Sequence, residues 1–530
     1  MVFIPCKFWK KEYLINTKKA LKNSTISTLA QIATLFFQLI NRRIFVKFLN
    51  VDYLGYHSLF VNIFLLLSVA EAGIGNIVSF HLYREIYENN EEEIGKLMYL
   101  YQCLYRVIAI IVFFLGCGCY CFLPYFIRES SISWSFLSLI YFLQLGGVVA
   151  GYFLSYRRTI YIVTQQEYKC IEIDLYTSIV IQIIQLLTLA LFKNYLIYLI
   201  LQISTTIISS FIILKKTDRE YPYLNKRYLV KKEDIKKRNF LSDAGNFIIH
   251  RISYAIYGGT DSIIISAFCG VRTVALYGSY LTIQSGVTQI LNRFFNPLQA
   301  AIGNIIHSER KKAELWDQFE VIDILCHFLA NYLSLGFLIF YQPVIQIWLG
   351  KTFLLPDAFV IIFSANYYFV TVWESVYRYR AVFGGYKQDR VYMIYSAILN
   401  LIISICLAKR IGIVGIQIGT MIGYFSIAFG RIKFVIGDYF NRSIIKYLVK
   451  HFILFLVVIF EGAICYKLTR KIDINCKGMI YRGIMWAVVP AITSSFVNLR
   501  NPYFKLFLRY IKNVKAIIGN RLNLKNNKYK

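Results

Sequence analysis

Apolar runs of about 20 residues recur from one end of this chain to the other, each long enough to cross the hydrocarbon core of a bilayer as a helix. No water is available in that core, so every backbone N–H and C=O must find its partner within the segment. The chain therefore reads as an all-α polytopic membrane protein of about fourteen transmembrane helices. Composition agrees, with 57% hydrophobic and 17% charged residues over 530 positions, far from the balance of a soluble enzyme. The formal net charge of +30 does not require nucleic acid, because the basic residues sit in short loops between apolar spans, where membrane topology accounts for them.

Loop charge also sets orientation. The even-numbered loops carry Arg84, then Arg157 and Arg158, a basic cluster from Lys215 to Arg238, Arg310 to Lys312, and Arg378 to Arg390. Most odd-numbered loops carry one or two basic residues, such as Lys47, Lys193 and Lys351, and the loop from Lys467 to Arg482 breaks the pattern. Both termini are expected in the cytosol, and the Lys-rich N-terminus lacks the short apolar core and cleavage site of a signal peptide. The expected organisation is an N-terminal lobe of six helices over 1–214, a basic cytosolic linker over 215–241, a C-terminal lobe of six helices over 242–436, and two extra helices with a basic tail over 437–530.

Two stretches read almost alike: Glu71-Ala72-Gly73-Ile74-Gly75-Asn76-Ile77 and Gln299-Ala300-Ala301-Ile302-Gly303-Asn304-Ile305. Val51, Tyr56 and Ser58 precede the first as Val271, Tyr277 and Ser279 precede the second. A hairpin unit repeated in this way makes the lobes pseudo-symmetric and is a signature of transporters. The polar residues repeat as well. Ser27, Gln31, Thr34, Gln38 and Arg42 lie on one face of the first helix, and Asn246, His250, Ser253, Tyr257 and Asp261 lie on one face of the seventh, both spaced four, three, four, four. Lipid cannot satisfy these groups, so the stripes face either a wet central cavity or a neighbouring helix that they bond. The cavity reading makes Gln31, Gln38, Arg42, His250, Tyr257 and Asp261 candidate substrate contacts. Arg42 and Asp261 end their stripes at matching heights, and an ion pair between them would close an outer gate. Shorter stripes carry Asp174, Ser178, Gln182 and Gln185 on the fifth helix and Asp323, His327, Asn331 and Ser334 on the ninth. Glu71 and Asp174 are candidates for ion coupling. Glu374 stands four residues before Arg378, the spacing of a local ion pair.

Several chemistries have no counterpart in the sequence. It shows no Walker A loop, no metal-ligand spacing, no Ser-His-Asp set and no long outer loop for a glycosyl-transfer site, so no catalytic residue, metal or cofactor is expected. The 11 cysteines lie mostly within apolar spans and read as small hydrophobes.

At this level the chain resembles the polysaccharide flippases of the multidrug/oligosaccharidyl-lipid/polysaccharide exporter superfamily, in particular bacterial O-antigen and capsule flippases. The resembling segments are Asn41-Arg42-Arg43-Ile44-Phe45, Tyr53-Leu54-Gly55-Tyr56, Leu67-Ser68-Val69-Ala70-Glu71-Ala72-Gly73-Ile74-Gly75, Gly259-Thr260-Asp261-Ser262-Ile263-Ile264-Ile265-Ser266, Ala275-Leu276-Tyr277-Gly278-Ser279-Tyr280, Ile302-Gly303-Asn304 and Trp348-Leu349-Gly350. Ala72 and Ala301 stand where the family pattern usually has glycine. The resemblance implies two six-helix lobes working by alternating access in the bacterial cytoplasmic membrane. It also implies a substrate of undecaprenyl-pyrophosphate-linked oligosaccharide, flipped from the inner to the outer leaflet, with proton or sodium coupling and polysaccharide polymerase machinery as possible associates. Under that reading Arg42 is the first candidate for phosphate contact, and Arg293, Arg378 and Arg380 are cytosolic-side candidates. The alternatives are a cation-coupled multidrug antiporter of the same superfamily and a membrane glycosyltransferase or polymerase.

Overall fold

The computed structural model describes residues 11–71, 74–127, 132–226, 228, 240–306, 312–499 and 501–509. These residues form helices and no strand. The helices used below are α1 (Lys11–Phe48), α2 (Val51–Leu67), α3 (Ile74–Tyr87), α4 (Glu91–Cys121), α5 (Trp134–Ser155), α6 (Tyr168–Phe192), α7 (Tyr195–Glu220), α8 (Phe240–Cys269) and α9 (Val271–Ile306). They continue with α10 (Lys312–Leu349), α11 (Asp357–Val372), α12 (Glu374–Val382), α13 (Tyr386–Ile411), α14 (Ile413–Ile432), α15 (Ile444–Thr469) and α16 (Cys476–Asn498). Each helix expected from the sequence has a helical counterpart. Among the described residues, 10 helices are long and apolar enough to cross a membrane. Their outer faces expose large apolar side chains such as Phe114, Leu191, Phe452, Phe460 and Phe496, the pattern of a protein whose surrounding solvent is lipid. The chain is a multi-pass membrane protein.

Turn chemistry follows the sequence closely. Asn50 caps α2 by accepting the Asp52 N–H at 3.1 Å. Asn90 caps α4 ahead of Glu91, Glu92 and Glu93, which sit at the positive end of the helix dipole. Lys193 takes a left-handed conformation (φ 49°) and Asn194 then caps α7 through the N–H groups of Leu196 and Ile197. At the turn between α8 and α9 the left-handed position is filled by Gly270, φ 86°, where a side chain would be strained.

The second expected helix is not continuous. α2 ends at Leu67, a 3₁₀ turn runs over Ser68–Glu71, and α3 starts at Ile74. The second copy of the repeat lies inside the unbroken α9, so the two look-alike stretches differ in backbone. In the first copy the Ser68 hydroxyl bonds the Leu65 carbonyl at 2.6 Å and the Glu71 carboxylate accepts from the Tyr105 hydroxyl of α4. The Ser68 hydroxyl thus satisfies a backbone carbonyl where the α-helical ladder stops. The tenth expected helix is likewise divided at Trp373, between α11 and α12, and the twelfth ends in a π-helical stretch, Lys433–Tyr439.

The chain divides into two compact units. Among the described residues, one comprises those of 11–293 and 404–416, the other those of 294–403 and 417–509. In the first, α8 and the first part of α9 pack with the first seven helices. A Cβ on Gly55 would sit 2.2 Å from the Val271 carbonyl oxygen, so only glycine allows α2 to come this close to the start of α9. Asn62 of α2 donates to Ser262 of α8 at 3.1 Å, and Ser266 donates to the Phe126 carbonyl at 2.7 Å. The start of the linker is strapped to this unit: buried Arg157 donates to the Leu224 carbonyl at 2.9 Å, and Tyr228 lies against Gly95. The stretch of the linker from Leu229 to Asn239 and the basic tail from Tyr510 onward lie outside the described residues.

The core of the second unit is aromatic, with Phe319, Tyr368, Trp373, Tyr379 and Phe440 buried together. It also holds the polar stripe of α10. Asp323, 1% exposed, accepts from Ser375 at 2.9 Å, Tyr447 at 2.8 Å and Lys450 at 2.9 Å, and lies 3.1 Å from His451 Nε2. Further along the same face, Asn331 donates to Glu461 at 2.9 Å and to Ser494 at 3.0 Å. Tyr447, Lys450, His451 and Glu461 belong to α15 and Ser494 to α16. The α10 stripe is therefore helix–helix contact, and it fastens the two C-terminal helices to α10.

Candidate functional site: a polar cavity along α1

The first unit encloses a cavity of about 900 Å³. Its wall comes from α1, α2, α6, α7, α8 and α9, each contributing polar side chains at helical spacing. α1 supplies Gln38, Asn41 and Arg42; α2 supplies His57, Ser58 and Asn62; α6 and α7 supply Gln182, Gln185 and Gln202; and α9 supplies Thr282, Gln284, Ser285, Thr288 and Gln289. No Asp or Glu is among the described residues lining it. Arg42 is the cation among the described lining residues. The Arg42 Nε donates to Ser279 at 3.0 Å and Nη2 to the Ala275 carbonyl at 2.8 Å. These two neutral acceptors hold the guanidinium in place and leave further N–H donors for a ligand. A Cβ on Gly278 would lie 3.2 Å from Nη2, so the absence of a side chain there makes room for the arginine.

A second cavity of about 510 Å³ follows toward the Lys11 end of α1. Ser178, Thr205 and Thr206 line both cavities. Its other walls include Gln31 and Thr34, the Arg158–Asp174 pair, Ser209, Ser210 and Arg293. Arg158 grips Asp174 with both arms, Nη1 to Oδ2 at 2.6 Å and Nη2 to Oδ1 at 2.7 Å.

Of the residues expected from the sequence, Gln38 and Arg42 line the larger cavity, and Gln31, Asp174 and Arg293 the smaller one. The side chains of His250 and Tyr257 lie outside the described residues. Asp261 is buried and accepts from Tyr277 of its own hairpin at 3.4 Å. Arg42 turns instead to Ser279 and Ala275, and no ion pair joins Arg42 to Asp261, because Asp261 faces α9 rather than α1. Arg378 sits in the other unit, where Glu374 at 2.6 Å, Asn296 at 2.8 Å and Gln299 at 2.9 Å hold it; the Glu374–Arg378 pair expected from spacing is formed. Arg380 pairs with Asp389 at 2.5 Å. Glu71 meets Tyr105, whose hydroxyl in turn accepts from Tyr101 at 2.7 Å. Sequence reasoning missed Arg158, which read as a loop charge, and the polar face of α9. That face was legible as Thr282, Ser285 and Gln289 at spacings of three and four. No group of three or more potential metal ligands occurs among the described residues.

Comparisons with known proteins give this all-helical multi-pass chain a family. The sequence profile described as polysaccharide biosynthesis protein matches residues 20–302, and the chain belongs to that family. Its fold is similar to the lipid II flippase MurJ in an inward closed conformation, with a TM-score of 0.66 at 14% identity, covering 89% of this chain and 99% of that one. It is also similar to an inward-facing multidrug resistance MATE family transporter of the MOP superfamily, with a TM-score of 0.56 at 13% identity, covering 77% and 98%. No curated protein sequence matches.

Proposed function

We propose that this protein is a flippase for a polyprenyl-pyrophosphate-linked oligosaccharide, undecaprenyl being the expected lipid. It would act by alternating access of the halves 1–214 and 242–436 in the bacterial cytoplasmic membrane, with both termini cytosolic. The observation that carries this reading is the lining of the larger cavity: amides and hydroxyls surround Arg42, and no carboxylate is among the described residues of the wall. Amide and hydroxyl side chains both donate and accept, as sugar hydroxyls require. An arginine held by neutral acceptors suits a phosphate, whose paired oxygens match the guanidinium fork. The polyprenyl tail needs no polar wall and can remain in lipid. A multidrug antiporter for cations would need acidic groups facing its cargo, and the lining favours an anionic or neutral one. Deleting the gene is expected to accumulate a lipid-linked glycan on the cytosolic leaflet. A deletion strain with no such accumulation, but with new sensitivity to cationic drugs, would establish the antiporter instead.

Ion coupling is assigned to Glu71, whose carboxylate is met by the Tyr105–Tyr101 hydroxyl pair at the break between α2 and α3. Glu71→Gln keeps shape and hydrogen bonding and removes the charge. The variant is expected to transport with a flattened dependence on pH or sodium. Full activity with an unchanged profile would remove Glu71 from coupling.

A further inference from the structure

The smaller cavity sets beside Arg293, a cytosolic-side candidate for phosphate contact, a second arginine that the sequence did not single out. Its lining carries two cations, Arg158 and Arg293, and one anion, Asp174. Arg293 is exposed and makes no hydrogen bond or ion pair with any described residue. Arg158 is bound on both arms by Asp174, and its Nη2 also reaches Ser209 at 3.1 Å and Ser210 at 3.5 Å. The pair is not sealed: the Arg158 side chain is 26% and the Asp174 side chain 40% exposed. An ion pair this open to water gains little from its Coulomb attraction, so another anion can take the place of the carboxylate. A phosphate presents two oxygens to the fork in the same way as a carboxylate, with more charge.

We propose that Arg158 and Arg293 form a second anion station, for a phosphate carried on a membrane lipid, and that Asp174 is its resident anion, leaving Arg158 when that phosphate arrives. The proposal rests on the flippase reading for its cargo. Ser178, Thr205 and Thr206 connect the station to the larger cavity. Along α1, Gln31 in the station and Arg42 in the larger cavity are separated by about 16 Å at the helical rise. The lipid phosphate is first held at Arg158 and Arg293 and then passed to Arg42. Asp174 closes over Arg158 behind it, so the empty station keeps a paired cation rather than a bare one.

Two lipids carry this chemistry, the pyrophosphate of the polyprenyl substrate and the headgroup of an anionic phospholipid. The test uses the full-length protein in nanodiscs of phosphatidylcholine and measures binding of undecaprenyl pyrophosphate and, separately, of phosphatidylglycerol. Arg293→Gln and the double change Arg158→Gln/Arg293→Gln are expected to weaken undecaprenyl pyrophosphate binding, the double change by about tenfold or more. Asp174→Asn is expected to tighten binding and slow release, lowering KM and kcat together. Arg293 has no described partner to lose, so its single variant tests the station even if the double variant folds poorly. A loss confined to phosphatidylglycerol supports a lipid-phosphate station but assigns it to the headgroup. Unchanged affinity for both lipids in the Arg293 variant, or weaker binding in Asp174→Asn, overturns the proposal. Failure of the flippase reading is read separately, as absence of glycan translocation by the unaltered protein.

Discussion

Arg42→Gln is expected to lower glycan translocation by about a hundredfold, the scale of removing a desolvated charge that bonds its ligand, with the protein still present in the membrane at its usual level. The guanidinium lies in the larger cavity and is held from behind by Ser279 and the Ala275 carbonyl. Its two neutral acceptors do not neutralise it, and under the proposed function the substrate phosphate would supply the counter-charge. Glutamine can reach neither acceptor with the same fork and carries no charge. Arg42→Lys is expected to fall between the two, since an ammonium keeps the charge but cannot bond Ser279 and Ala275 while also presenting a planar pair of donors. The rival role is mechanical: Arg42 ties α1 to α9, and breaking the tie would disturb closure at the Phe48 end of α1. Ser279→Ala separates the two. It removes one acceptor of the tie and leaves the charge in the cavity. A few-fold loss in Ser279→Ala beside the large loss in Arg42→Gln supports a bond to substrate, whereas equal losses would make Arg42 a latch. The measurement is translocation of a labelled lipid-linked glycan in proteoliposomes.

What was legible in the sequence depended on whether a residue's partner was local. The apolar helices were legible because lipid allows one solution to backbone bonding, whereas the caps at Asn50, Asn90 and Asn194 emerged only with the structure. The α1 stripe pointed to Gln31, Gln38 and Arg42, and these do line cavities. The break at Ser68–Glu71 was not legible. It ends at Glu71, where the look-alike stretch begins, and the matching stretch lies inside the continuous α9, so the repeat carries no sign of it. The partners of Arg42 escaped for a related reason. Matching stripes fix which face of a helix a residue occupies but not which neighbour the face turns toward, and Asp261 turns to Tyr277. Arg158 was hidden by its position outside the apolar run, where a basic residue is explained by topology alone. The same ambiguity applied to α10. Periodicity marks a polar face but does not separate a wet cavity from a bonded interface, and in α10 the face is bonded to α12, α15 and α16.

That bonded face carries the other large effect. Asp323→Ala is expected to destabilise the protein by about 3–5 kcal/mol, the cost of removing one partner from a buried ionic group. Asp323 is the point on which Ser375, Tyr447, Lys450 and His451 converge. Without it the remaining ion-pair partner of Lys450 among the described residues is Glu320, at 2.7 Å, and the Ser375 and Tyr447 hydroxyls lose their acceptor in a place that water does not reach. These partners are on α12 and α15, so the change loosens the attachment of the C-terminal helix pair rather than the cavity in the first unit. Thermal unfolding in detergent should show a lower Tm, and proteolysis should cut first in the loop between α15 and α16, around Lys471 to Asn475. Asp323→Asn, which removes the charge but keeps an acceptor oxygen for the Ser375 and Tyr447 hydroxyls, should cost less than Asp323→Ala. Undecaprenyl pyrophosphate binding, measured on the folded fraction, should match the unaltered protein. An Asp323→Ala protein with an unchanged Tm and no transport would refute the anchoring role and place Asp323 in the transport mechanism itself.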